Sequence, residues 1–306
     1  MIPTFPNHKK LEKTDYNEIR QFTSKFVPYS DYNFVSLYSY DTGSDIQLSQ
    51  YKGNLIVKFS DYIDDSIHFY SFIGKNEVGD TIKTLLDYSA SNNLQKKLSL
   101  IPEDCIKDNI TKLSEKFTIE EDKTNHDYVC STVEWTNLEE PSYKELRRQV
   151  RRFERNYPEH KHTKLDLSDS KTLDKIYNLF NLWGKNSQQS QEECEVELVA
   201  VKRFISLNNI CPIKCYGIYI DDKLIDFEFA EIDKDNPKYG ISHFAKFDKS
   251  IKDSYVYGFH SLCKQFNSQN CEYINIEQDL GLERLRHTKE KWNPTLYLKK
   301  YSISYK

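Results

Sequence analysis

Apolar residues recur in this chain at two periods, and the two take turns along its length. Leu173, Ile176, Tyr177, Phe180 and Trp183 return at three- and four-residue steps, which predicts a helix over 171–184. Phe227 and Phe229 alternate with Asp226 and Glu228, the period of a strand over 224–232. Read the same way, the first half predicts helices at 15–26, 79–92 and 102–115, with Pro102 suited to a helix start. Strands are predicted at 46–50, 54–60, 67–73, 116–120 and 127–133, with Lys52-Gly53-Asn54 as a hairpin turn. Ser142 with Glu145 three positions on has capping-box spacing, so a helix is expected from Tyr143 to Asn156, before Pro158. Beyond it the pattern predicts a strand at 162–167, helices at 171–184 and 192–208, and strands at 214–220 and 224–232 around Asp221-Asp222-Lys223. The strand 240–247, the helix 254–269, the strand 272–277, the helix 281–291 and strands over 295–305 complete the order.

Alternating elements of this kind argue for a mixed α/β fold. The second half reads β-α-α-β-β-β-α-β-α-β-β, an order that resembles the GNAT N-acyltransferase fold. The first half reads as a degenerate copy. The expected organisation is two tandem GNAT-like domains at 1–135 and 161–306, connected by a basic helix within 136–160.

Composition narrows the function classes. With 306 residues, 38% hydrophobic and 29% charged, the chain can bury a sizeable core and is globular in character. No apolar run approaches the roughly 18–20 residues of a membrane span, and the first ten residues lack a secretory pattern, so a cytoplasmic protein is expected. The net charge of −4 leaves any anion site to a local patch. Seven cysteines without a CxxC pair point to reduced thiols. Neither Cys211 and Cys215 nor His160 and His162 have the second ligand pair of a zinc site, so no metal is expected.

The candidate chemistry concentrates near the C-terminus. A short strand, Tyr273 to Ile276, delivers Glu277, Gln278 and Asp279 to a turn, and Gly281 opens a cationic helix with Arg284, Arg286, His287, Lys289 and Lys291. Carboxylates at a strand end beside a helix N-terminus suit a ligand site. Glu277 is the candidate base. Asp279 is a ligand residue or a helix cap, the cap being worth roughly 1 kcal/mol. His243 has the chemistry of a proton shuttle near neutral pH, with Lys246 farther along its strand. Glu228 is a carboxylate in an apolar alternation, facing either solvent or the site. The helix 143–156 carries six cationic residues against two acidic ones, a local charge of +4. Its Arg147, Arg148 and Arg151 are candidate phosphate ligands, and a solvated helix paired with surface acids is the alternative. Arg286 and Lys289 are candidates of the same kind, weighed against ion pairs with Glu283 or Glu290.

Several stretches carry a resemblance. Tyr273-Ile-Asn-Ile-Glu-Gln-Asp279, then Leu-Gly-Leu-Glu-Arg-Leu-Arg286 with Lys289 and Trp292-Asn-Pro294, resemble the family of the C-terminal domain of phosphatidylglycerol lysyltransferase. Asp127–Thr132 leading to Tyr143–Phe153, Ile241–Asp248 and Ser30–Tyr38 are similar to further segments of that family. The resemblance implies tandem acyltransferase-like domains that move an amino acid from aminoacyl-tRNA to a lipid or cell-wall amine. It raises Arg286 and Lys289 as site residues. One segment departs from acyl-CoA users of this fold: Asp248–Gly258 has its only glycine inside the helix, so a pyrophosphate loop is missing and acyl-CoA is disfavoured as donor. The leading expectation is therefore transfer of an aminoacyl or related acyl group to an amine or hydroxyl acceptor. The alternatives are an acyl-CoA N-acetyltransferase with an unusual loop, and a non-catalytic protein holding tRNA or an anionic lipid on the arginine helix.

Overall fold

The computed structural model describes residues 1–92, 94–187 and 189–306. The chain divides into two compact units. The first comprises Met1–Tyr128, Gln278–Lys289 and Leu296–Lys306; the second comprises Val129–Glu277 and Glu290–Thr295. This division interleaves in sequence, unlike the linear split at 135 and 161. The basic helix Lys144–Asn156 is part of the second unit rather than a connector, because its apolar side lodges Phe153 against Ile218 and Ile225.

In the second unit the strands lie in the order 129–131, Tyr273–Asn275, Tyr239–Phe247, Lys223–Ile232, Ile213–Ile220, Lys161–Lys164. Neighbours are antiparallel except Tyr239–Phe247 and Tyr273–Asn275, which are parallel. Helices Ser170–Lys185 and Gln191–Ile205 start where their caps dictate. Asp169 accepts from the Lys171 and Thr172 amides, and Ser190 with Glu193 forms a reciprocal capping box. Phe204 of the second of these helices stacks on Phe229 at 4.9 Å, covering one face of the sheet. Helix Ser254–Asn267 packs against helices Thr132–Asn137 and Lys144–Asn156 and against strands Ile213–Ile220, Lys223–Ile232 and Tyr239–Phe247. There Trp135, Phe259 and Trp292 form a buried aromatic knot, with Phe259 and Trp292 ring centroids 3.9 Å apart.

Two irregularities in the central strand pairs decide which side chains face which layer. Leu224 opposes Tyr219 and Asp226 opposes Ile218, so Ile225 is an extra residue in its strand. Phe229 opposes Phe244 and Ala230 opposes Ser242, so His243 is the extra residue of Tyr239–Phe247. A bulge of this kind re-aims a side chain that strict alternation would send elsewhere.

The first unit has a four-stranded antiparallel sheet, Lys9–Lys10, Gln47–Tyr51, Asn54–Ser60 and His68–Ile73, and a three-stranded one with Lys300–Tyr305 between Lys97–Pro102 and Phe117–Glu121. Helix Val78–Ser91 links His68–Ile73 to Lys97–Pro102, two neighbouring strands that share no ladder. The fully buried Tyr32 spans them, its phenol bonded to Ser71 and donating to the Leu100 carbonyl at 3.4 Å. The helix expected over 102–115 is displaced by the strand Lys97–Pro102 and resolves into short helical turns at Glu103–Ile106, Lys107–Asn109 and Ile110–Leu113. The Ser142–Glu145 capping box does not form. Pro141–Tyr143 is a 3-10 turn, and Glu145 pairs instead with Arg148 at 3.0 Å.

Candidate active site

Strands Tyr239–Phe247 and Tyr273–Asn275 share a parallel ladder only as far as Ile241 and Asn275. The first strand continues to Phe247; the second ends. His243 lies just beyond the last shared rung, and its bulge turns the ring toward Phe204, 5.5 Å away. Period-2 alternation in Lys223–Ile232 puts Glu231 on the same face as Phe227 and Phe229. Glu277, two residues past the shared ladder, has φ of 62° and is fixed by its own amide donating to Asn275 Oδ1 at 2.7 Å. A non-glycine residue in the left-handed region stores strain, a condition that clusters at functional sites.

These three side chains meet. His243 Nε2 is 3.5 Å from Glu231 Oε1, and His243 Nδ1 is 3.5 Å from Glu277 Oε1. The imidazole is fully buried, Glu231 nearly so, and Glu277 retains 16% side-chain exposure. Burial alone would push the ring toward neutrality. The two carboxylates outweigh it and raise the His243 pKa to about 9. His243 is thus an imidazolium at pH 7, and its raised pKa moves it away from the near-neutral range that suits a proton shuttle. Glu231 was not among the sequence candidates; its signal was the stripe Phe227, Phe229, Glu231, which becomes chemical only once the bulge at His243 is known.

Lys246 lies on the same layer. Its ammonium sits 4.0 Å from the Trp183 ring centroid and 2.6 Å from Glu197 Oε1.

Glu228 does not join this group. With Asp226 it faces helix Ser254–Asn267, where Tyr255 and Cys263 are its neighbours and Gly258 abuts Asp226. Both are fully buried, and all four carboxyl oxygens lack a hydrogen-bond partner. Desolvation raises both pKa values well above the carboxylate range, and for Glu228 the neighbouring Asp226 adds to it. They are a coupled, neutral acid pair. Because the folded-state pKa values are raised, their contribution to stability is complete below about pH 4 and lost as pH rises through the folded values. Asp226→Asn with Glu228→Gln is therefore expected to match the parent near pH 4. At pH 8 it should be the more stable of the two, because the parent alone keeps two carboxyls protonated against the pH. Urea unfolding at the two pH values measures this, and a parallel loss at both would contradict the neutral-pair assignment.

The remaining candidates divide by unit. In the second unit, Arg147 donates to the Leu138 and Glu139 carbonyls, Arg148 pairs with Glu145, and Arg152 forms a bidentate pair with Asp253 at 2.5 and 2.6 Å. Arg147 thus serves the scaffold. Arg151 is exposed, and Lys144, Arg148, Arg151 and Arg155 form one exposed stripe at three- and four-residue spacing.

In the first unit, Asp279 is fully buried, accepting from Tyr128 Oη at 2.6 Å, Arg286 Nε at 2.9 Å and the Gly281 amide at 2.7 Å. Burial pushes its carboxyl up, but Arg286, Tyr128 and that amide together hold it below the usual range. It is not a helix cap as sequence allowed. The helix begins at Glu283, and Leu280 and Gly281 (φ 55° and 73°) make a turn that Asp279 clamps. Lys289 donates to the Gln278 carbonyl at 2.7 Å. Asp279, Arg286 and Lys289 thus hold the turn together.

A second polar centre of the first unit was absent from the candidates. Lys300 is fully buried between Asp31 and Asp127, 2.6 Å from Asp127 Oδ1. Ser30 and its amide donate to Asp127, and Gln278 Nε2 and Tyr62 Oη donate to Asp31. Burial disfavours the Lys300 charge, yet the two aspartates raise its pKa overall. Among the described residues no cluster of three or more His, Cys, Asp or Glu could hold a metal, and no helix is long and apolar enough to cross a membrane.

The fold and its relatives agree. A conserved protein of unknown function from Bacteroides thetaiotaomicron is 21% identical, with all of both chains covered and a TM-score of 0.82. The structure of L-PGS from Bacillus licheniformis is 12% identical over 100% of this chain and 94% of that one, with a TM-score of 0.62. FemX is 8% identical over 97% and 96%, with a TM-score of 0.58. At such identities the likeness is one of fold, mixed α/β and GNAT-like. No protein of curated function matches the sequence. Residues 25–304 match the family described as phosphatidylglycerol lysyltransferase, C-terminal, and the chain belongs to that family.

Proposed function

We propose that the second unit transfers an aminoacyl or related acyl group to an amine or hydroxyl acceptor, with Glu277 as the general base. The carrying observation is the Glu231–His243–Glu277 array where the parallel strands part. Glu277 is its most exposed member and accepts the proton the acceptor loses as its nitrogen or oxygen bonds the acyl carbon; the donor's ester bond breaks and that proton goes to the departing oxygen. The imidazolium between the two carboxylates fixes Glu277 and balances its charge before the proton arrives. Family membership supports this reading, since the family is named for moving a lysyl group to phosphatidylglycerol.

The approach to helix Ser254–Asn267 favours a donor other than acyl-CoA. Instead of a glycine-rich loop, the helix is preceded by Asp248 and Asp253, carboxylates engaged by Lys223 and Arg152. No glycine stands between Asp248 and Asp253, so the segment lacks the loop whose backbone amides close on a pyrophosphate. A tRNA-borne acyl group needs no such loop, and the exposed stripe Lys144, Arg148, Arg151, Arg155 is suited to its phosphates. An anionic lipid head group would meet the same stripe. The test is transfer from aminoacyl-tRNA to lipid and amine acceptors by the parent and by Glu277→Gln. Transfer by the parent alone is expected, and equal turnover by the variant would refute the base assignment.

A further inference from the structure

The helix pair Ser170–Lys185 and Gln191–Ile205 contributes a cluster that the proton-transfer array does not use. Lys246 Nζ lies 4.0 Å from the Trp183 ring centroid and 2.6 Å from Glu197 Oε1, and Lys246 is only 7% exposed. Glu197 Oε2 is buried without a hydrogen-bond partner. Trp183 is half-buried and the Glu197 side chain 21% exposed, so the cage is reachable from solvent. Lys249 also approaches the ring, at 5.9 Å.

An aromatic face and a carboxylate converging on one nitrogen select an ammonium by charge, by hydrogen bonding and by attraction to the ring quadrupole. A plain structural ion pair explains the Lys246 contact. It leaves unexplained why Glu197 keeps a second acceptor oxygen out of water and unpaired, which is costly. We infer that Trp183 and Glu197 form a recognition subsite for a primary alkylammonium group, which Lys246 fills in the unliganded protein and a substrate ammonium enters by displacing it. That the ligand is a substrate group rests on the acyl-transfer reading; the subsite itself does not. It gives the transferred group or its acceptor a chemical class, one bearing a free ammonium.

The probe is n-pentylammonium, with 1-pentanol as the neutral isostere, followed by tryptophan emission and calorimetry. Wild-type protein should bind the amine saturably, and not the alcohol. Lys246→Met keeps the side-chain volume but removes the internal competitor, so its affinity should rise at least tenfold. Adding Glu197→Gln to that variant should abolish the gain. Trp183→Leu, its fold checked by circular dichroism, should lose amine binding without relying on any change at Lys246. Amine binding by Lys246→Met with none by the parent at a hundredfold higher concentration would mark a fixed ion pair and overturn the inference. Equal binding of amine and alcohol, or no binding by any form, would overturn it too. None of these results bears on whether Glu277→Gln stops acyl transfer, so the two readings fail separately.

Discussion

Lys300→Met is expected to lower the free energy of unfolding by about 3–5 kcal/mol, the range for removing one partner of a buried ion pair. The substitution leaves Asp31 and Asp127, both without side-chain exposure, facing each other with no cation between them. Methionine fills the space of the lysine stem, so the loss is electrostatic rather than a cavity effect. With m of roughly 3 kcal/mol/M for a chain of this size, the urea midpoint should fall by about 1 M or more at unchanged m. Adding Asp127→Asn to that background should recover part of the loss. A midpoint within about 0.2 M of the parent would mean that the cluster is not the tightly coupled ionic centre its geometry indicates.

Glu277→Gln is expected to reduce acyl transfer by about 10²–10⁴-fold, the usual worth of a positioned general base. Glutamine keeps the shape and a carbonyl oxygen toward His243, yet cannot accept a proton at working pH. The loss should therefore appear in kcat more than in KM. The same change removes one of the two anions that hold His243 charged, so its pKa should fall from about 9 toward the ordinary 6.5. Glu231→Gln should lower that pKa as well while leaving the base in place, and its effect on turnover should be smaller. An equal loss for both variants would assign Glu231 a share of the proton transfer.

Much of the second unit was legible because its signals are local. The helical recurrence of Ile176, Phe180 and Trp183 and the alternation around Phe227 and Phe229 depend on near neighbours, and those elements stand where they were expected. The motif from Tyr273 to Pro294 was enough to name the family. What could not be read is what long-range pairing decides. Nothing in Tyr297-Leu-Lys-Lys-Tyr301 says that Lys300 is wholly buried, because Asp31 and Asp127 lie far away in sequence. Glu228 and Glu231 look alike on paper; one faces a helix without partners and the other faces an imidazolium. That difference comes from alternation plus a bulge, and a single extra residue leaves no trace in the hydrophobic period. Asp279 was read as a ligand or a cap, but Tyr128 and Arg286 claim it before a helix can.

In the first unit the fully buried Tyr32 bridges the two strands that share no ladder, through Ser71 on one and the Leu100 carbonyl on the other. The parting of parallel strands in the second unit holds ionisable groups instead, and the proposed chemistry rests on them.

The central claim is that His243 is a buried imidazolium held between two carboxylates. Its raised pKa means that the stabilisation from this pairing is complete below about pH 6.5 and lost as pH rises through about 9. The direct measurement is a long-range ¹H–¹⁵N titration of the His243 ring in the parent and in Glu277→Gln. Protonation of both ring nitrogens at pH 7, with a midpoint near 9 that falls in the variant, is the predicted result. A neutral ring at pH 7, or a midpoint that does not respond to Glu277→Gln, would contradict it.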